Sequence, residues 1–137
     1  MTPAIGGDGA APGLDLVVLR VADLPAARAF YEAVGVTFVE EQHGRGPEHL
    51  AGTLGNGVVL ELYPAANPAP DQRLGFSVSD LGAVLRAVRD VGGTVLTERS
   101  GHAVVVDPDG RKVDLTRRGG KSSSGSPIGR AEGTGPS

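Results

Sequence analysis

Apolar and polar positions follow two rhythms along this chain, one of period two and one of helical spacing. Leu14 to Val21 (L-D-L-V-V-L-R-V) is short, rich in Val and Leu and halts before Asp23, which predicts a strand running into a helix cap. Leu24, Ala27, Phe30, Tyr31 and Val34 then form one apolar stripe at helical spacing. Pro25 sits in the first turn, where its missing N–H costs nothing. Gly35 ends that helix, and Val36 to Glu41 predicts a second strand. After the loop Gln42 to Pro47, the strands His49 to Leu54 and Val58 to Tyr63 meet at Gly55-Asn56-Gly57, a strong hairpin signal.

The Pro-rich stretch Pro64 to Asp71 is a connector, and beyond it the order begins again. Leu74 to Val78 predicts a strand, and Asp80 caps a helix whose stripe is Leu81, Val84, Leu85, Val88 and Val91. Gly92-Gly93 ends it, and Thr94 to Glu98, Ala103 to Val106 and Lys112 to Thr116 predict three strands, the last two joined by Asp107-Pro108-Asp109-Gly110. The recurrence is an internal repeat: V-A-D-L at Val21 and V-S-D-L at Val78 lie 57 positions apart. With no gap, Asp23 falls on Asp80, Leu24 on Leu81, Gly35 on Gly92 and Thr37 on Thr94. Each half reads β-α-β-β-β, so the fold class is α+β, with helices covering one sheet face.

Composition narrows the folded part. Of 137 residues 39% are apolar, enough for one compact domain with a core. Residues 1–12 are mostly Gly, Ala and Pro, and residues 118–137 mostly Gly, Ser, Thr and Pro. Both predict disordered tails around a domain at 13–117, its modules at 14–64 and 72–116. The net charge of -3 and scattered basic residues give nucleic-acid binding little support. No cysteine is present, which excludes disulfides and thiolate chemistry. No apolar run is long enough to span a membrane and no leader pattern opens the sequence, so a soluble cytoplasmic protein is expected.

The tandem modules, with V-x-D-L at the first helix and D-P-D-G in the last hairpin, resemble the vicinal oxygen chelate superfamily of glyoxalases, extradiol dioxygenases and bleomycin-resistance proteins. The resemblance covers Leu14 to Thr116. It implies a curved mixed sheet with helices on the convex side, a concave face that holds metal or ligand, and a homodimer. It also implies four metal positions, one on the first and one on the last strand of each module, here Leu16, Glu61, Arg73 and Asp114. Leucine cannot ligate a metal and arginine is a cation, so that site is broken. Two carboxylates alone suit the borderline metals of such enzymes poorly.

A replacement is available. The segment E-Q-H-G-R-G-P-E-H-L followed by V-L-E-L-Y-P resembles a pattern in a less characterised branch of the same superfamily, and it brings His43 and His49 towards Glu61. If the leucines of both hairpin strands face the helices, Leu54 must pair with Val58 across a three-residue loop; a two-residue Asn56-Gly57 turn would not allow this. His49 then lies opposite Tyr63, diagonal to Glu61, on the concave face, with His43 near the rim.

Each candidate has a plainer reading. Glu61 is a solvated strand residue unless a partner such as Arg73 faces it, and Arg73 is otherwise a surface arginine or a clamp for an anionic ligand. His49 reads as an acid, ligand or orienter, or as a cavity histidine bonded to backbone. His43 and His102 read as exposed histidines, and Asp114 as a cross-strand partner for a basic side chain. Gly44 and Gly46 shape their loop. Two functions of different class follow. One is a protein that holds a small molecule, such as an antibiotic, with Tyr63, His43, Arg73 and Asp114 around it and no chemistry; the lost metal positions favour it and the few aromatic residues count against it. The other is a glyoxalase-like lyase or isomerase, or a dioxygenase, with Glu61 as base beside His49 and a divalent Zn, Ni, Mn or Fe held by His43, His49 and Glu61.

Overall fold

The computed structural model describes residues 11–119. The tails expected from composition therefore lie outside the described residues, apart from 11–12 and 118–119. Within them the order is β1 (Leu16–Val21), α1 (Leu24–Val34), β2 (Phe38–Glu41), β3 (His49–Thr53), β4 (Val59–Pro64), β5 (Leu74–Val78), α2 (Leu81–Asp90), β6 (Thr94–Arg99), β7 (His102–Val106) and β8 (Lys112–Arg117). The β-α-β-β-β repeat is observed, with strand ends moved by one or two residues from their expected places.

Both helices start in the same way, for the reason the repeat suggested. Asp23 accepts from the Ala26 N–H and Asp80 from the Ala83 N–H, each at 3.0 Å, which satisfies one of the free donors of a first turn. Both stop beside a glycine in the left-handed region, Gly35 at φ 126° and Gly92 at φ 85°.

Each module forms its own mixed four-stranded sheet, in the order β1-β4-β3-β2 and β5-β8-β7-β6. β1 runs parallel to β4 and β5 to β8, and the other pairings are antiparallel. One face of each sheet packs on the helices. Leu19, Val21, Leu60 and Leu62 meet Phe30 and Tyr31 there, and Leu115 and Val105 meet Leu85 and Val88, in one core that runs through both modules. The opposite, open face of each sheet carries the polar candidates.

The modules are joined by a buried polar knot. Arg111, 1% exposed, sits in the β7–β8 hairpin and spreads its guanidinium over four oxygens. Nε donates to Gln72 at 2.8 Å, Nη1 to Asp107 at 3.0 Å and to Asp109 at 3.3 Å, and Nη2 to the Arg20 carbonyl of β1. The Tyr31 hydroxyl of α1 donates to Asp107 at 2.6 Å, and Asp109 accepts from the Ala22 N–H at 3.0 Å. Burial first, and then the bond to Asp107, push the Tyr31 hydroxyl well above the usual tyrosine range, so it stays neutral and donates.

A buried cation of this kind is tolerated only while it is paired. Arg111→Ala leaves the Asp107 carboxylate without its partner and is expected to cost about 3–5 kcal/mol in denaturant unfolding. Tyr31→Phe, which removes one donor, is expected to cost about 1–3 kcal/mol. A loss under about 1 kcal/mol for Arg111→Ala would rule out this knot as the joint between the modules.

Candidate functional site

Strand register decides which side chains share the open face of the first sheet. The β3–β4 pairing sets Leu50 against Leu62 and Thr53 against Val59. The Leu54 N–H donates to the Val58 carbonyl at 2.8 Å, so the expected three-residue loop is the one formed. β2 sets Glu41 against His49 and Val39 against Ala51, while β1 sets Arg20 against Tyr63 and Val18 against Glu61. Two adjacent rows result. One is polar, running Glu41, His49, Tyr63, Arg20; the other runs Val39, Ala51, Glu61, Val18.

The polar row is built around His49, whose side chain is only 1% exposed. Its ring stacks on Tyr63 at 4.2 Å between centroids with planes 9° apart, and the Arg20 guanidinium lies 5.0 Å above the far ring. Nδ1 lies 3.3 Å from the Pro47 carbonyl, which assigns the hydrogen to that nitrogen. Nε2 points at the Glu41 carboxylate at 3.3 Å, the Tyr63 hydroxyl at 3.3 Å and Glu61 at 3.9 Å. His43 folds back over the edge. Gln42 donates to the Gly46 carbonyl and the Gly46 N–H to the His43 carbonyl, a tight loop that leaves the His43 ring 5.2 Å from that of His49. His43 Nε2 is 3.5 Å from Glu41, with the side chain 74% exposed.

Glu41 and Arg20 are therefore members of the constellation that sequence reasoning passed over. Glu41 opens the same motif as the two histidines, and pairing β2 with β3 about their loop would have placed it opposite His49. The structure brings His43, His49, Tyr63 and Glu61 together and leaves Arg73 and Asp114 on the second sheet. Arg73 is not the partner of Glu61: its Nε and Nη2 hold Asp114 in a two-pronged pair at 2.8 and 2.9 Å, across the β5–β8 pairing. His102 lies 3.5 Å from the same carboxylate.

The four positions of the family's metal site thus present an aliphatic side chain at Leu16, an arginine already bonded at Arg73, and the carboxylates Glu61 and Asp114. This set does not fit a divalent cation. Glu41, His43 and His49 are a different set, a carboxylate and two imidazoles whose donor atoms lie within 4.8 Å of one another, of a kind able to hold a metal.

Around these groups the open face is apolar. Leu16 is 50% exposed, Val18 37% and Val39 58%. A cleft of about 870 Å³ lies elsewhere, between the end of α1, the β3–β4 turn, β5 and the start of α2. Its charged groups are already engaged, Asp80 as a helix cap and Arg118 on the Ser77 carbonyl, so the convergent chemistry stays with the open face.

Fold and site define a tandem-module α+β protein with polar groups gathered on an open sheet face. The profile of the Glyoxalase/Bleomycin resistance protein/Dioxygenase superfamily matches residues 13–115, and the chain belongs to that superfamily. Among curated proteins none matches significantly. Solved structures do. TnmS3, an antibiotic-binding protein from a Streptomyces species, is 25% identical with a TM-score of 0.61, over 79% of this chain and 97% of that one. An integron cassette protein from the mobile metagenome of V. cholerae is 25% identical with a TM-score of 0.62, over 80% and 97%. The oxidase ChaP-H2, 20% identical with a TM-score of 0.63 over 81% and 97%, shares the fold.

The Arg73–Asp114 pair makes a prediction about pH. Hydrogen bonds from Arg73 come first in holding the Asp114 carboxyl below the usual aspartate range, and the same pair raises the Arg73 guanidinium. A carboxyl depressed in the folded state adds stability above its unfolded value and loses it as pH falls through the folded one. The Asp114 carboxyl carbon is therefore expected to titrate below about 3.9 in an NMR pH series, and to move back towards that value in Arg73→Ala. An Asp114 titration unchanged by that substitution would remove the pair as its cause.

Proposed function

We propose that this chain binds a small molecule on the open face of its first sheet and holds it without the family's metal, as a sequestering resistance protein does. One observation carries the reading: Leu16, Val18 and Val39 stand exposed around a cluster of converging polar groups, Glu61, His49 and Tyr63, the composition of a recognition surface rather than of a solvated strand face. The antibiotic-binding neighbour supports the class of ligand. Arg73 and Asp114 would border the ligand only if the second sheet comes to face the first. Small molecules are the proposed partners and the cytoplasm the proposed compartment; among the described residues no helix is long and apolar enough to cross a membrane.

A second reading is favoured by Glu61, partly buried and 3.9 Å from His49 Nε2. In it Glu61 takes a proton next to a carbonyl and His49 orients or protonates; His43, His49 and Glu61 would hold a divalent Zn, Ni, Mn or Fe, which would supply Lewis acidity there.

A thermal-shift panel of natural-product antibiotics tests the binding reading. A ligand at about a hundred times its Kd adds about 2.7 kcal/mol and raises Tm by several degrees. That shift is expected to vanish in Val18→Asp and to shrink in Glu61→Gln, both on the open face. A compound that stabilises both variants as well as the parent would move the site off this face.

We also propose a homodimer. β1 and β5 are edge strands of their sheets, and β1 carries the exposed Leu16 beside Leu14 at 68% exposure, an edge suited to a second copy. Light scattering at micromolar concentration is expected to give twice the 13.9 kDa chain mass, falling to the monomer in a Leu14→Asp/Leu16→Asp variant. A monomeric parent would end this part of the reading.

A further inference from the structure

Four Lewis-basic groups, Glu41, His43, His49 and Glu61, gather on the first sheet near the β2–β3 end. His49 gives Nδ1–H to the Pro47 carbonyl, so Nε2 keeps a lone pair, and that lone pair faces carboxylate oxygens of Glu41 at 3.3 Å and Glu61 at 3.9 Å. His43 brings a second imidazole to the same Glu41 oxygen at 3.5 Å. Lone pairs aimed at one another at a nearly buried position need a positive centre between them. Tyr63 supplies one hydroxyl at 3.3 Å, which can satisfy only one of them.

We infer that Glu41, His43 and His49 bind one first-row divalent cation of the Zn type, at a place in the fold separate from Leu16, Glu61, Arg73 and Asp114. Spacing is the first argument. Metal–ligand bonds of about 2.0–2.1 Å in a tetrahedral arrangement set donor atoms about 3.4 Å apart, longer than a good hydrogen bond. The two distances from Glu41 Oε1, 3.3 and 3.5 Å, bracket that value, and all three donors fall within 4.8 Å. The exposed His43 side chain is the member free to turn and close the remaining gap.

Preorganisation is the second argument. The His49 ring is fixed by its stack on Tyr63, and its far nitrogen is bonded to a backbone carbonyl, as ligating histidines usually are. Two imidazoles and one carboxylate leave at least one coordination position open, the pattern of a reactive rather than a structural site. Glu61 lies beside that position, on the apolar row, as a group that can face a bound molecule instead of the metal.

The test titrates metal alone, so its outcome is independent of the small-molecule reading. Full-length chain without an affinity tag is stripped with chelator, dialysed, and titrated with Co(II), followed by visible absorption, then by calorimetric displacement with Zn(II). One ion per chain is expected. His43→Ala and Glu41→Gln, both on solvent-facing side chains and checked for folding by circular dichroism, are each expected to weaken binding by more than about 100-fold, the upper end of what loss of an outer partner costs, while Glu61→Gln stays within about twofold. Absence of saturable binding at one ion per chain would overturn the inference. Binding that survives Glu41→Gln but fails in Glu61→Gln would equally overturn it, by giving the carboxylate ligand to Glu61.

Discussion

A guanidinium buried to 1% exposure is costly unless its nitrogens find oxygens, and all three nitrogens of Arg111 do so, one of them by reaching out of its own module. Its oxygens come from Asp107 and Asp109 in the same hairpin, from Gln72 just ahead of β5 and from the backbone of β1. The β7–β8 turn is thereby pinned to the strand on which the first sheet's register is built. Arg20 makes the link concrete. Its carbonyl accepts from Arg111, and its own side chain lies over Tyr63, the ring on which His49 stacks. Two contacts separate the joint between the modules from the centre of the candidate site.

The internal repeat predicts a second joint of the same kind, and the structure has only part of it. Ser77 stands 57 positions after Arg20, and its carbonyl accepts from Arg118 at 3.1 Å. Yet the turn that faces this junction is Gly55-Asn56-Gly57, which has no long side chain to send across. Where the second module's turn fills its junction with Arg111 and Asp107, the first module's leaves the cleft of about 870 Å³. The two halves agree in caps, stops and strand order and differ in what their hairpins carry.

Those differences mark how far the sequence could be read. Caps, helix-ending glycines and the β3–β4 register were legible because each depends on neighbours a few residues away: a carboxylate three residues before a free N–H, or the parity of leucines across a short loop. The placement of His49 against Tyr63 followed from the same parity. The joining role of Arg111 was not legible. A charged residue in a polar hairpin reads as exposed, and its partner Arg20 is 91 residues distant. Glu41 was passed over for another reason. Its partner lies across the loop from Gln42 to Glu48, whose closure depends on the Gln42 and Gly46 hydrogen bonds rather than on any period in the chain. Arg73, matched to Glu61 through a shared family position, found a nearer carboxylate in Asp114 on the adjacent strand.

The two rows of the first sheet separate the work a binding face has to do. On the row of Glu41, His49, Tyr63 and Arg20 the side chains are committed to one another, stacked or within 3.5 Å, and little of their geometry is free to adapt. On the row of Val39, Ala51, Glu61 and Val18 a single carboxylate stands between aliphatic neighbours, two of them well exposed. Such a surface gains by being covered, since every Å² of apolar area removed from water contributes about 25 cal/mol. A ligand lying there would cover Val18 and Val39 and present its polar part to Glu61, with the fixed row as its wall. A second copy approaching along β1 would cover Leu16 and the neighbouring Val18. The two proposed occupants meet at Val18, so in this reading a dimer narrows the ligand's place rather than competing for it, provided the partner stops at the edge strand and leaves Val39 and Glu61 open.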